Sequence, residues 1–348
     1  MGGTVVGLDI GSTSVRAVEV QNYDGAKPSI TRFAEVPLPE NSVRRGEVVE
    51  AGTVTTALKR LWSAGGFKTK DVVLGVGGSR VFARDFSVPK APLDQVRESL
   101  PFLVQDLLPV PVADAILDFY PVAEEEGENG PVITGLLVAG LTDAITANVT
   151  AALAAGLRPV HVDLIPFAVT RAVAPYRSAR GRDALVSIGA NTTHVVVVEN
   201  GIPLFVRMIP NGGDDINRAI SSRLQLSPEQ AENAKRMVGM GSPMTRQEDR
   251  PVLEIVYEVV GELLTSIRST LSYYAAAKPL APAQRVLLSG GGAQLTGLAN
   301  ALGELVGMPV AIAEPQVGFP AGRGKDRASR GQTESFTTAF GLALGSHA

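Results

Sequence analysis

Short alternating apolar runs open the chain: Thr4 to Asp9, Ser14 to Val20 and Ile30 to Val36, with turns between them. Period-two alternation bounded by turn residues predicts strands. The opening is therefore an antiparallel meander, unlike the strand-to-helix start of a dinucleotide fold. From Val49 to Ala64 the period lengthens, and Val54, Leu58, Leu61 and Trp62 fall on one helical face. A strand, Asp71 to Val76, follows.

The next block has a different texture. It reads as a strand (Val81 to Val88), a helix (Asp94 to Leu108) stopped by Pro109 and Pro111, two strands (Ile116 to Val122 and Val132 to Leu141) and a helix (Thr142 to Ala155) ending at Gly156. This βαββα unit is expected to be a small inserted domain. The acidic run Glu124 to Glu128 reads as a solvated hairpin tip.

Val160 to Asp163 returns as a strand and Phe167 to Val173 as a helix. The opening pattern then recurs. LDIGSTSVRAVEV (Leu8 to Val20) and VSIGANTTHVVVVEN (Val186 to Asn200) share strand, glycine turn with hydroxyl residues, and strand. A repeat half a chain apart predicts two related domains facing each other. Helices are expected at Ile216 to Leu224, Pro228 to Val238 and Val252 to Ala277, and a strand at Arg285 to Leu288. After Ser289-Gly290-Gly291-Gly292 come a helix to about Val306, a strand at Val310 to Ala313, a loop at Phe319 to Gln332 and a closing helix at Phe336 to Leu344.

Composition narrows the chemistry. At 348 residues, two domains are the expectation. A net charge of −3 argues against nucleic acid as a partner. The absence of cysteine excludes disulfides and thiolate chemistry. Met1 to Asp9 lacks a charged region followed by an apolar one, and no apolar run is long enough to span a bilayer. No basic amphipathic face follows Phe336, so no direct membrane anchor is expected. His161, His194 and His347 are scattered and give no metal spacing.

The two glycine turns, Gly11-Ser12-Thr13-Ser14 and Gly189-Ala190-Asn191-Thr192-Thr193, carry the candidate chemistry. Their backbone N–H groups and hydroxyls can cradle phosphate without lysine. Each alone reads as a hairpin turn; the ordered pair reads as a phosphate clamp. Asp9, just before the first turn, is placed to hold Mg²⁺ through water. Gly290, Gly291 and Gly292 let a flat base approach the backbone. Glu232 and Lys235 share a helical face, which also suits a plain exposed ion pair.

Together these motifs resemble the actin/Hsp70/sugar-kinase superfamily. GLDIGSTSVRAVEV is similar to its first phosphate loop, VSIGANTTHVVVVENG to its second and LLSGGGAQLTGL to its adenosine motif. The segments SVPKAPLDQVRESLPFLVQDLLPVPVADAILDFYPV, VDLIPFAVTRA, GIPLFVRMIPNGGDDI and AENAKR add a resemblance to the FtsA/PilM branch, on its type IV pilus assembly side. The resemblance implies an α/β fold: two actin-like (RNase H-like) domains flanking a nucleotide cleft, with a 1C-type (SHS2) inserted subdomain. The implied boundaries are 1–79 (1A), 80–157 (1C), 158–182 (1A continued), 183–213 (2A), 214–278 (helical lobe 2B), 279–334 (2A continued) and 335–348 (closing helix of the first domain).

It further implies ATP and Mg²⁺ as ligands. Gly11, Ser12, Thr13, Ser14, Asn191, Thr192 and Thr193 would lie at the phosphates together with Gly212 and Gly213. Glu232 and Lys235 would lie near ribose and base, Gly290 to Gly292 at the adenosine, and Asp9 at the metal. The implied partner is the cytoplasmic N-terminal tail of a PilN-like inner-membrane protein, with pilus motor or platform proteins as further candidates. The implied location is the cytoplasm, with recruitment to the inner face of the membrane. Two departures point to slow or absent hydrolysis. Ser187 stands where the superfamily usually has Asp, and Ile165-Pro166 stands where it often places a water-positioning Glu or Gln, with Asp163 shifted in register. An FtsA-like filament protein and a small-molecule kinase using Asp163 or Asp118 are the alternatives.

Overall fold

A computed structural model describes residues 3–23, 25, 27–108, 110–128, 130–173, 181–241, 246–313 and 334–345. The first sheet is built from β1 (Thr4–Ile10), β2 (Ser14–Gln21), β3 (Ser29–Pro37), β6 (Asp71–Val76) and β10 (Arg158–Leu164), in the order β10-β6-β1-β2-β3. The second contains β11 (Arg182–Ile188), β12 (Thr193–Glu199), β13 (Ile202–Ile209), β14 (Arg285–Ser289) and β15 (Val310–Ile312), in the order β13-β12-β11-β14-β15. In both, the first three strands form an antiparallel meander and the last two add in parallel beside the first. The repeat read from two glycine turns is thus a duplication of a whole five-stranded sheet.

Two short strands leave no mark in the sequence pattern: β4 (Val43–Arg44) and β5 (Glu47–Val48), which form a hairpin turning at Arg45 and Gly46. β13 leaves none either. Two-residue strands are too short to show a period, and Pro203 and Arg207 interrupt the apolar pattern of β13.

Helix α1 (Ala51–Gly65) covers one face of the first sheet through Val54, Leu58 and Leu61, all fully buried. β7 (Val81–Pro89), α2 (Leu93–Leu103), β8 (Ala115–Gly127) and β9 (Gly130–Leu141) form the insertion, a three-stranded sheet in the order β7-β9-β8. Leu100 and Val96 of α2 pack on Phe119 and Leu137. α2 ends at Leu103, five residues before the predicted end. Pro101 interrupts its last turn by removing a donor, and the chain turns so that Val104 is buried.

The sequence pattern groups α3 (Thr142–Ala154) with the insertion; the helix touches it through Ile145 and Val149, which pack with Val81 and Val138, but it also reaches the first domain. Its Ala151 and Ala152 join Leu157 in the core of the first sheet, with Leu8, Leu58 and Leu74. Small alanines on one face of α3 allow this close approach to α1. Within the insertion, the segment from β7 to β9 is the part built around its own sheet. Its face opposite α2 meets α4 (Ile165–Ala172) and the second sheet, where Leu136 is buried with Val169, Val196 and Val206.

The second domain's helical lobe holds α5 (Gly213–Leu224), α6 (Pro228–Val238) and the long α7 (Arg250–Ala277). Ile255, Val256, Val260, Leu263, Leu264 and Ile267 of α7 are buried against Ile216, Ile220 and Ala231. α8 (Leu298–Val306) follows β14. The closing helix α9 (Thr337–Ala343) returns to the first domain, where Phe340 and Leu342 pack with Val5, Val18 and Val73. The loop expected at Phe319 to Gln332 lies outside the described residues, as does His347. Among the described residues no helix is long and apolar enough to cross a membrane.

Candidate functional site

Both meanders turn toward each other, and between them lies a cleft of about 1760 Å³. Asp9, Gly11, Ser12, Thr13 and Ser14 line it from the first domain. Asn191, Thr192, Gly213, Glu232, Lys235, Gly290, Gly291 and Gly292 line it from the second. Residues from the two ends of the chain thus converge on one space.

Thr193 and Gly212 do not line it. The Thr193 side chain is fully buried, and its hydroxyl donates to the Asn211 carbonyl at 2.8 Å. Thr192, in the turn before β12, lines the cleft, whereas Thr193 opens the strand with its side chain turned away. Gly212 faces the second turn, where a Cβ would stand 2.5 Å from the carbonyl oxygens of Gly189 and Ala190. The first N–H groups of α5 are also engaged there: Gly213 N donates to Gly189 O at 2.9 Å and Asp214 N to Ala190 O at 2.8 Å. In the described conformation these groups brace the turn.

Arg16 lies within the first motif but is not among its candidate site residues, and it lines the cleft. Being two residues from Ser14 on β2, it shares that face, which was a signal available in the sequence. Its guanidinium lies 2.8 Å from Glu35 and 3.9 Å from Asp9. Burial raises the Asp9 carboxyl above the ordinary carboxylate range, against the pull of Arg16. The Arg16 Nε and the Ser14 hydroxyl are buried without a hydrogen-bond partner, as is Asn217 Oδ1 across the cleft.

On the second domain, Glu232 accepts from Lys235 at 2.6 Å, from Asn217 at 2.7 Å and from Arg236 at 2.5 Å. Lys235 also donates to the Gly213 carbonyl at 3.2 Å, tying α6 to the start of α5. Burial opposes ionisation of Glu232, but these bonds outweigh it and bring the carboxyl down to about 2. A folded value below the ordinary one stabilises the fold above the unfolded pKa, and that contribution is lost as pH falls toward the folded value. Glu232→Gln is therefore expected to flatten the decline of the urea midpoint between roughly pH 5 and pH 3. An unchanged decline would mean that the cluster does not tie α6 to α5.

Gly290 has a left-handed φ of 83°, and a Cβ there would meet the Ile188 carbonyl oxygen at 2.5 Å. Only glycine lets β14 turn so tightly beside β11 and leave a flat backbone surface at the cleft. Ser187, in place of a second carboxylate, lines the cleft beside these turns. Asp163 pairs with Arg171 and accepts from Leu164 N, and Asp118 pairs with Arg97 in the insertion. Neither is among the described residues lining the cleft.

Comparison with known proteins agrees with this arrangement. The family described as type IV pilus assembly protein PilM matches residues 7–347. A solved PilM-PilN type IV pilus biogenesis complex contains a chain that is 26% identical, with a TM-score of 0.85 and 98% of both chains covered. MreB5 of Spiroplasma citri bound to AMPPNP shares the fold at 12% identity and a TM-score of 0.54, covering 98% of this chain and 95% of that one. Among curated proteins, the cell division protein FtsA of Neisseria meningitidis is 25% identical over 96% of this chain and 88% of its own length. FtsA of Bacillus subtilis is 23% identical over 67% of this chain, which spans 58% of that protein's length. Two actin-like domains around one cleft, an inserted three-stranded sheet and a family match over nearly the whole sequence lead to one conclusion: the chain belongs to the PilM family of actin-like type IV pilus assembly proteins.

Proposed function

We propose that the protein is a nucleotide-binding adaptor of pilus assembly that holds ATP with Mg²⁺ in the cleft and docks the cytoplasmic tail of a PilN-like inner-membrane protein at the insertion. The observation that carries the nucleotide reading is the set of unpartnered buried polar atoms of Ser14, Arg16 and Asn217 in a single cleft. Such groups cost free energy unless a ligand or water meets them. Asp9 suits a Mg²⁺ carried by the phosphates, since that ion keeps several waters and takes few carboxylates. When bound, the ion would neutralise phosphate charge. Arg16 would add a cation on the same side, and the glycine turns would supply N–H donors. Asn217, Glu232 and Lys235 form a polar cluster suited to a ribose.

Hydrolysis would be slow. α4 begins at Ile165-Pro166, and these residues can neither orient a water nor accept its proton. Ser187 adds no second carboxylate.

The partner reading rests on charge as well as kinship. Residues 80–141 carry ten carboxylates against four basic side chains, in a chain whose net charge is only −3. Cytoplasmic segments close to a membrane span are enriched in Lys and Arg. The insertion also exposes Phe102, at 82%, on α2. A short basic tail with apolar anchors fits such a surface.

Calorimetry tests both halves. The ligand is a synthetic peptide from the cytoplasmic N-terminus of the single-span membrane protein encoded beside this gene, titrated with and without Mg-ATP. Saturable binding that weakens as salt rises is the expected result. Absence of binding in both conditions would favour the FtsA-like filament reading, which pelleting with lipid vesicles would then test.

A further inference from the structure

His194 bridges the two domains at the floor of the cleft. It sits on β12, with only 5% exposed, and its Nε2 lies 2.9 Å from the carbonyl oxygen of Gly77, just after β6 in the first domain. A carbonyl only accepts, so Nε2 carries the proton and donates. Burial, the larger influence, keeps the ring neutral by lowering its pKa, although the bond to Gly77 pulls the other way.

Gly77 and Gly78 form the last turn before the insertion. A Cβ at Gly77 would stand 3.0 Å from both His194 Nε2 and Ile165 Cβ. One at Gly78 would stand 2.1 Å from the Arg45 carbonyl oxygen. The turn is thus packed among the second domain, the start of α4 and the β4–β5 hairpin. Two residues on, Arg80 holds both roots of the insertion. Its guanidinium bonds Glu47 of the hairpin at 2.5 and 2.8 Å and Asp143 at the start of α3 at 2.7 Å. Its carbonyl accepts from Leu141 N at 3.1 Å, closing the exit strand onto the entry strand. Farther out, Leu136 of the insertion is buried against Val196 and Val206 of the second sheet.

We infer that the His194–Gly77 bond is a joint that makes the insertion follow the angle between the two domains, so that the ligand state of the cleft sets the state of the partner surface. The inference rests on the nucleotide reading above and adds a regulation to it. A ligand that closes the cleft moves β12 relative to β6. With His194 in place, the displacement reaches Gly77, Gly78 and Arg80, and through them both roots of the insertion. Packed interfaces of this kind shift between discrete arrangements rather than deform smoothly. Linkage then requires that whatever binds the insertion alters nucleotide affinity by the same factor.

The experiment is hydrogen–deuterium exchange of the full chain, with and without a saturating non-hydrolysable ATP analogue, after calorimetry has given each variant's own affinity. In the wild type, the analogue is expected to change exchange in β7, α2 and β9, far from any nucleotide contact, by severalfold. His194→Phe fills the same space without a donor and is expected to lose that response at saturation. His194→Gln, which can still donate to Gly77 O, is expected to keep it. Should His194→Phe fail to fold, Arg80→Met serves instead. That side chain is 38% exposed, and its loss should uncouple the insertion while the cleft still loads. A response that persists in His194→Phe, or in Arg80→Met, overturns the joint. A wild type that binds the analogue without responding also overturns it, leaving the nucleotide reading intact. A wild type that binds no nucleotide overturns that reading, and the joint with it.

Discussion

Replacing Gly7 by valine is expected to lower the thermal midpoint by on the order of 10 °C, from overpacking that costs about 3 kcal/mol. Gly7 lies in the middle of β1, where α9 crosses it. A Cβ there would stand 1.9 Å from the Ala339 carbonyl oxygen and 2.6 Å from Ala343 N. Both are backbone atoms, so no rotamer change relieves the clash. The helix would have to lift. It is also locked on its other side, because a Cβ on Gly341 would come within 1.9 Å of the Ala168 carbonyl oxygen on α4. Lifting α9 would separate Phe340 and Leu342 from Val5, Val18 and Val73, and would disturb Thr338, which lines the cleft. A control sits in α7, where a Cβ on Gly261 would meet no atom within 4 Å. Gly261→Ala is expected to stabilise by about 0.5–1 kcal/mol, through reduced freedom of the unfolded chain and better helix propensity. If Gly7→Val melts with the wild type, α9 is not seated on β1 as described.

The second large effect concerns Arg16. Arg16→Ala is expected to weaken binding of a triphosphate by about 100-fold, or about 2.7 kcal/mol. The guanidinium stands between Glu35 and Asp9 in the cleft, so its removal does two things. It deletes a charged donor, commonly about 1.5–3 kcal/mol. It also leaves two carboxylates facing the phosphates without their counterion. Adenosine, which lacks the phosphates, is expected to bind nearly as before, so the ratio of the two affinities isolates the phosphate side. Arg16→Lys should recover part of the loss, because a point charge replaces a planar fork. The measurement is displacement of a fluorescent ATP analogue by ATP and by adenosine. An equal loss for both ligands would place the effect on the fold of β2 instead.

The same strand shows how much of the site was legible. Asp9, Gly11 to Ser14, Asn191, Thr192 and the Gly290 to Gly292 turn could be found because glycine turns between alternating strands leave a local signature. Arg16 was legible in principle, since period two puts it beside Ser14. The start of β12 separates Thr193, bonded to the Asn211 carbonyl, from Thr192 in the turn. Gly212 does not line the cleft in the described conformation, for a different reason. A glycine pair before a helix suggests an anion site, but here the carbonyls of Gly189 and Ala190 already occupy the donors.

Sequence by itself determined the repeated strand–turn–strand units and the helices long enough to show a period, because these depend on side chains near one another along the chain; the superfamily came from the resemblance of the motifs. Tertiary structure decided the rest. α3 carries no mark of which core it will join; its alanines fit against α1, while Ile145 and Val149 pack on the insertion strands. The β4–β5 hairpin is too short for any period and is held by distant residues, Asn148 bonding Val48 N and Gly46 O and Arg80 bonding Glu47. His194 looked like one scattered histidine among three. Only the meeting of β12 with the end of β6, 117 positions apart in the chain, gives its ring a carbonyl to hold. Local patterns fix elements, whereas contacts across that separation depend on how whole layers pack, and no short stretch of sequence records that.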